Sequence, residues 1–192
     1  MNDYLFDDSD MKIADAPDYC ADTFDTLSFL EESRKQHFNG NIQKSRQLGS
    51  VIVSAFSYKA APDEQVQLAE ECGVTLDDQC LSQMKQLTVF AAEHCIETCI
   101  PASLSSVAIS SMYDVLEEVS PDLYKTLSAS MAFSYYHLCL NEGGNLAENI
   151  GRRFAVLCGK KNDAALAAFG RQLFEINTGV FRRAIREYAF II

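Results

Sequence analysis

Apolar residues recur every three or four positions along most of the chain, with polar residues between them. This spacing is typical of amphipathic α-helices, which bury one side against a core. No stretch shows the strict alternation of apolar and polar positions that indicates a half-buried β-strand. The pattern therefore predicts an all-α fold, a multi-helix bundle of about seven to nine helices.

Capping and turn residues predict where several of these helices begin and end. The first helical stretch, Tyr19 to Phe38, stops at Asn39-Gly40-Asn41, where glycine can adopt the left-handed conformation of a C-cap. Asn145 and the pair Asn162-Asp163 are typical N-caps and indicate the starts of the last two helices. Local capping and turn residues therefore predict most of these helix boundaries.

The clearest helix start in the chain is Ser120-Pro121-Asp122, which combines a hydroxyl cap, a proline and an acid in the first turn. The helix that begins there is expected to continue to about Leu140. Because this stretch is apolar on more than one face, we expect it to lie at the centre of the bundle.

Residues 1–18 differ from the rest of the chain. They hold six acids and one lysine, and their apolar residues are limited mainly to the isolated run Tyr4-Leu5-Phe6. The sequence therefore predicts an acidic N-terminal arm over residues 1–18, followed by a single helical domain over residues 19–192.

Composition narrows the class of protein. Of the 192 residues, 48% are hydrophobic and 22% are charged, which is ordinary for a globular protein, and the net charge of -11 is opposite to that of a typical nucleic-acid-binding protein. No apolar run approaches the roughly 20 residues that cross a bilayer. The first residues also lack the positive charges of a targeting signal. We expect a cytoplasmic protein with reduced cysteines and with neither a nucleic-acid nor a membrane partner.

Charge is distributed unevenly along the chain. Residues 1–141 carry a net charge of -14, whereas residues 142–192 carry +3. The arginines of the second region are predicted to form a basic face that receives the acidic arm of the same chain or of a second copy. Solvated helix surface is the alternative interpretation. The candidate partner-binding residues are Leu5, Phe6, Arg152, Arg153, Arg182, Arg183 and Arg186.

The histidines and cysteines do not form a recognisable metal motif. No histidine follows a glutamate by three positions, as carboxylate-bridged di-iron bundles require. The segment Glu93–Cys99 offers ligand types, but zinc would need a second pair from elsewhere, for example Cys80 and His137. We interpret its two cysteines as core residues and its two glutamates as solvent-facing, and we predict no metal and no cofactor.

Motifs for covalent catalysis and phosphate binding are equally weak. Ser82 and Lys85 match the Ser-x-x-Lys pattern, but chance accounts for such a match and the serine lies in mid-helix. The chain has no Gly-x-Ser-x-Gly, no Cys-x-x-Cys and no glycine-rich phosphate loop. No residue is predicted to be catalytic, and the balance of motifs is against an enzyme.

The adjacent residues Tyr135, Tyr136 and His137 form the best candidate ligand site. Two phenol hydroxyls and an imidazole are the few polar groups that a pocket between helices needs to orient a small molecule. Ordinary core packing, with the hydroxyls satisfied by neighbouring groups, is the alternative interpretation.

These observations favour a non-catalytic helical protein that acts through protein–protein contacts or self-association. The alternative is a small-ligand sensor or enzyme with a pocket near Tyr135, Tyr136 and His137. A homodimer is expected to form through the C-terminal helix, because apolar residues between Leu166 and Ile192 occupy two faces of it.

Overall fold

The computed structural model describes residues 20–55 and 63–190, with side chains from Leu27 onward. Over these residues the chain forms nine α-helices and no β-strand, which confirms the predicted all-α fold. The arm predicted over residues 1–18 lies outside the described residues. The helices are α1 (Cys20–Phe38), α2 (Asn41–Ser54), α3 (Asp63–Glu71), α4 (Asp78–Cys99), α5 (Ala102–Val119), α6 (Pro121–Ala129), α7 (Met131–Asn141), α8 (Leu146–Leu157) and α9 (Ala164–Glu187).

Helix α4 lies at the centre of the bundle. It packs against α9 most extensively and also contacts α5, α6, α7 and α8. Met84, Leu87 and Phe90, on successive turns of α4, are almost completely buried. The central helix is therefore α4, and not the stretch after Ser120 as the sequence indicated.

The predicted helix from Ser120 to Leu140 is divided in two. Ser130 has extended backbone angles (φ -89°, ψ 122°), which end α6, and its hydroxyl then accepts a hydrogen bond of 3.0 Å from the backbone N–H of Ala132 in α7. The second half consequently turns part of its apolar surface outward, and Met131 is 72% exposed. Ser130 therefore acts as an N-cap in a stretch that has no glycine or proline to mark the break.

Two helix pairs are held in close contact by glycines. Gly49 of α2 faces α5, where a Cβ at this position would lie 2.8 Å from the backbone nitrogen of Met112. Gly151 of α8 meets the backbone of Ala167 in α9 in the same way. Since neither site has room for a side chain, the absence of a Cβ sets the distance between the helices of each pair.

Several helix ends follow the capping rules, whereas the starts of α2, α5 and α6 have no side-chain capping bond. Gly40 is left-handed (φ 72°) between α1 and α2, while the side chains of Asn145 and Asp163 accept hydrogen bonds from the first turns of α8 and α9. Ser120 precedes α6 without a side-chain capping bond, so Pro121 and the acid after it provide the start signal there. Within the described residues, no helix is both long and apolar enough to be a membrane span.

Candidate functional site

Helix α1 shows its apolar side to solvent. Among its described side chains, Gln36 is completely buried, whereas Phe38 is 87% exposed and Leu27 is 60% exposed. Phe29 and Leu30 are about half exposed, and residues 27–31 are all exposed, polar and apolar alike. Leu27, Leu30 and Phe38 form the apolar side of α1, which has no covering element among the described residues.

The orientation of α1 is fixed by polar contacts. The Gln36 side-chain amide donates a hydrogen bond to the carboxylate of Glu32 one turn earlier. Its oxygen accepts a hydrogen bond from the side-chain amide of Asn41, the first residue of α2, which is also buried. Buried amides are costly unless they are paired, and these contacts lie where α1 turns into α2 through Gly40. Gln36 therefore marks the side of α1 that meets the bundle, and Phe38, two residues further on, lies on the opposite side of the helix.

A groove of about 700 Å³ lies where this surface meets α2 and α5. Ile42 of α2 and Val107 of α5 form its apolar wall, and Phe38 stands exposed at one edge. Arg34 and His37, both exposed on α1, supply its polar groups together with a serine. The groove can hold a few apolar side chains and place acidic groups beside the guanidinium of Arg34.

One feature of the sequence distinguishes the part of the chain that forms two walls of this groove. Residues 33–55 contain four lysines and arginines and no acid, in a chain with a net charge of -11. The orientation of α1 had no comparable signal, since the burial of Gln36 depends on where α2 places Asn41.

The three predicted ligand residues on α7 point in different directions. Tyr136 is completely buried, and its hydroxyl donates a hydrogen bond of 3.3 Å to the side-chain oxygen of Gln83. Burial raises the pKa of Tyr136 well above its ordinary value. Tyr135 is 38% exposed, with the Arg153 guanidinium 6.0 Å from its ring centre. Consecutive residues are about 100° apart around a helix, so these side chains do not converge on one pocket.

His137 belongs to a packed aromatic cluster around Phe90. The ring centres of Phe90 and His137 are 5.1 Å apart in an edge-to-face arrangement, and Phe133 lies at the same distance from His137. His94 and Phe174 complete the cluster at 6.0 Å from each other. Burial lowers the pKa of His94, and the charge of Arg182 acts in the same direction. Both histidines, which are partly buried, thus contribute ring packing around Phe90.

The sequence predicts Glu93 on the solvent side of α4, but the residue is half-buried. Its carboxylate accepts a hydrogen bond of 2.8 Å from the hydroxyl of Tyr113 on α5. Burial raises the pKa of Glu93 in spite of this bond, and the pKa of Tyr113 is also raised, first by burial and then by the neighbouring carboxylate. This hydrogen bond between Tyr113 and Glu93 links α5 to α4.

The cysteines of α4 have different environments. Cys95 is buried and its thiol lies 3.6 Å from the backbone oxygen of Thr178, so burial raises its pKa to about 11. Cys99 is exposed, which corrects the interpretation of both thiols as core residues. Cys80 and Cys158 are buried together where the start of α4 meets the end of α8, and burial raises the pKa of each thiol. In the part of the chain that the structure describes, no three metal-ligand side chains converge.

The five candidate arginines fall into two groups. Arg152 and Arg153 lie on α8, whereas Arg182, Arg183 and Arg186 lie near the end of α9. Gly151 contacts Ala167, and Arg182 is 15 residues further along α9, a distance of about 22 Å. The described residues therefore do not bring the five arginines onto one basic face.

The first group already has partners within the chain. Arg153 forms an ion pair with Glu142, and Arg152 donates a hydrogen bond to the side-chain oxygen of Asn149. The predicted contacts of Leu5 and Phe6 lie outside the described residues.

The C-terminal helix exposes a small apolar patch. Ile176 and Val180, one turn apart on α9, are 45% and 50% exposed, while Phe181 and Ile185 are buried. A homodimer through this helix stays a prediction, and this patch is where its contact would be centred.

The fold and its groove define a helical-bundle protein whose first described helix presents an apolar surface. No protein-family model, curated protein or solved structure matches the chain. Its function is therefore inferred from its own residues and contacts.

Proposed function

We propose that this chain is a non-catalytic interaction protein that binds a protein partner through the apolar side of α1 and the adjoining groove. The observation that supports the proposal is the orientation of α1, in which Gln36 is buried and Phe38 is exposed. An exposed apolar patch with polar groups at its rim is typical of a protein-binding surface.

The groove also favours a particular partner chemistry. Phe38, Ile42 and Val107 suit apolar anchor side chains, whereas Arg34 suits a neighbouring carboxylate. The partner segment we expect therefore carries two or three large apolar residues flanked by aspartate or glutamate.

Photo-crosslinking in the cells that make this protein tests the proposal. Phe38 is replaced by p-benzoylphenylalanine in the full chain, and the same replacement of Val119 at the end of α5 is the matched control, because both side chains are exposed and no contact is assigned to Val119. We expect a discrete adduct with a second protein from position 38 and a much weaker one from position 119. Adducts of equal yield at both positions, or an adduct at position 38 only with another copy of this chain, would contradict the proposal.

A further inference from the structure

The residues that line the groove include one guanidinium, that of Arg34, and no carboxylate, whereas the first part of the chain is acidic. Residues 1–19 carry six aspartates and one lysine, a net charge of -5. Opposite charges bring two such segments together and orient them, although each exposed pair contributes little binding free energy.

The residues before Cys20 also contain the apolar pattern that the groove suits. Tyr4, Leu5 and Phe6 are consecutive, with Asp3 before them and two aspartates after them. Two aromatic rings and a leucine provide apolar area for the walls at Ile42 and Val107, while the flanking carboxylates can approach Arg34.

The chain is long enough to make this contact within one molecule. Phe6 precedes Cys20 by 14 residues, which span up to roughly 46 Å when extended. Arg34 lies 14 residues along α1 from Cys20, a distance of about 21 Å. The segment can therefore run back along α1 with slack, and the entropy cost of closing such a loop grows only slowly with its length.

We propose that Tyr4, Leu5 and Phe6 occupy the groove between α1, α2 and α5 of their own chain, and that a partner must displace them. This inference rests on the proposed function, because it describes the regulation of the same surface. The segment lowers the apparent affinity for a partner in proportion to the fraction of time that it fills the groove. It also covers the apolar side of α1 when no partner is present.

The test is photo-crosslinking of the purified full chain with Phe6 replaced by p-benzoylphenylalanine. Peptide mapping after irradiation is expected to find adducts with the peptides that hold Phe38, Ile42 or Val107. These adducts should appear in the monomer band with a yield that does not change on dilution, since the reaction occurs within one molecule.

Matched variants in the same labelled chain show whether the groove directs the reaction. Arg34→Ser combined with Phe38→Ser alters exposed groove residues only and should lower the adduct yield severalfold, whereas Val119→Ser, an exposed change outside the groove, should leave it unchanged. Circular dichroism checks that each variant keeps its helicity.

Three results would overturn the inference: groove adducts that join two chains and fade on dilution, adducts distributed over other helices, or a label quenched by solvent alone. None of them affects the proposed function, since position 38 would still crosslink a separate partner. Conversely, an intramolecular groove adduct without any partner adduct at position 38 would leave the contact in place and remove the proposed function.

Discussion

Gln36 and Phe38 stand two residues apart on α1, yet the glutamine is completely buried and the phenylalanine is 87% exposed. The buried amide bonds to Glu32 on its own helix and to Asn41 on the next. Folding therefore depends on the polar residue, while the aromatic one remains available for contacts with other molecules.

Hydrophobicity alone suggests that replacing Phe38 should destabilise the fold more than replacing Gln36. We expect the reverse order. Gln36→Leu removes the oxygen that accepts from Asn41, and we expect it to lower the free energy of unfolding by ~1–3 kcal/mol. Phe38→Ser changes an exposed side chain and should cost less than ~0.5 kcal/mol. Urea denaturation of the two variants checks this, and a larger loss for Phe38→Ser would show that α1 is packed differently.

Glycine substitutions test the close helix contacts. Gly49→Ala would force a Cβ against the backbone of α5, so we expect a loss of ~1–3 kcal/mol, and the same reasoning applies to Gly151→Ala on α8. Gly179→Ala on α9 is the control, because no atom of another element lies within 4 Å of the added carbon. There the better helix propensity of alanine should raise stability by ~0.4–1 kcal/mol. Equal effects at all three positions would contradict the described packing.

The helix boundaries were the most predictable part of the fold, because caps are local. Gly40 adopts the predicted left-handed conformation, and Asn145 and Asp163 cap the starts of α8 and α9 as predicted. The break at Ser130 was missed, since a serine between Ala129 and Met131 carries no distinct local signal. Its cap becomes visible only when the two helices take different directions in the bundle.

Glu93 predicts a pH effect on stability. Burial raises the pKa of its carboxyl, so the folded state holds this proton more tightly than the unfolded state does. The favourable contribution of the protonated group is full below the unfolded pKa of about 4.3 and is lost as pH rises through the folded pKa. Glu93→Gln keeps an acceptor for Tyr113 without the charge.

We therefore expect Glu93→Gln to be more stable than the parent chain at neutral pH, with the difference shrinking toward about pH 4. Urea denaturation at both pH values measures it. The exposed residue Glu97 gives the control Glu97→Gln, which should show a smaller difference. A destabilised Glu93→Gln at neutral pH would mean that the ionised carboxylate, and not the acid, is the form that the fold favours.

Thiol labelling should separate the cysteines of α4. Cys99 is exposed, whereas Cys95 is buried with a pKa of about 11 and holds little thiolate at neutral pH. In the native protein, N-ethylmaleimide should modify Cys99 quickly and Cys95 only after denaturation. Peptide mapping distinguishes the two sites, and Cys99→Ser serves as the control. Rapid modification of Cys95 would show that the contact between α4 and α9 opens readily.

The candidate surface was much less predictable than the fold. The helical spacing of Leu27, Leu30 and Phe38 correctly indicated a helix, but periodicity cannot say which side of that helix the bundle accepts. That choice depends on the Asn41 amide brought alongside Gln36 by the turn at Gly40. Tyr135, Tyr136 and His137 are consecutive in the sequence and therefore suggested one site. The helix directs their three side chains to separate environments.

The binding constant of a partner identified through position 38 tests the role of α1 most directly. Isothermal titration with the purified partner should show that Leu30→Ser combined with Phe38→Ser weakens binding by about tenfold or more, since removing two apolar anchors costs more than ~1.4 kcal/mol. The control pair Val119→Ser and Val156→Ser, which are exposed on α5 and α8, should change the constant by less than about twofold. Equal weakening by both pairs, or a loss confined to the control pair, would contradict the account.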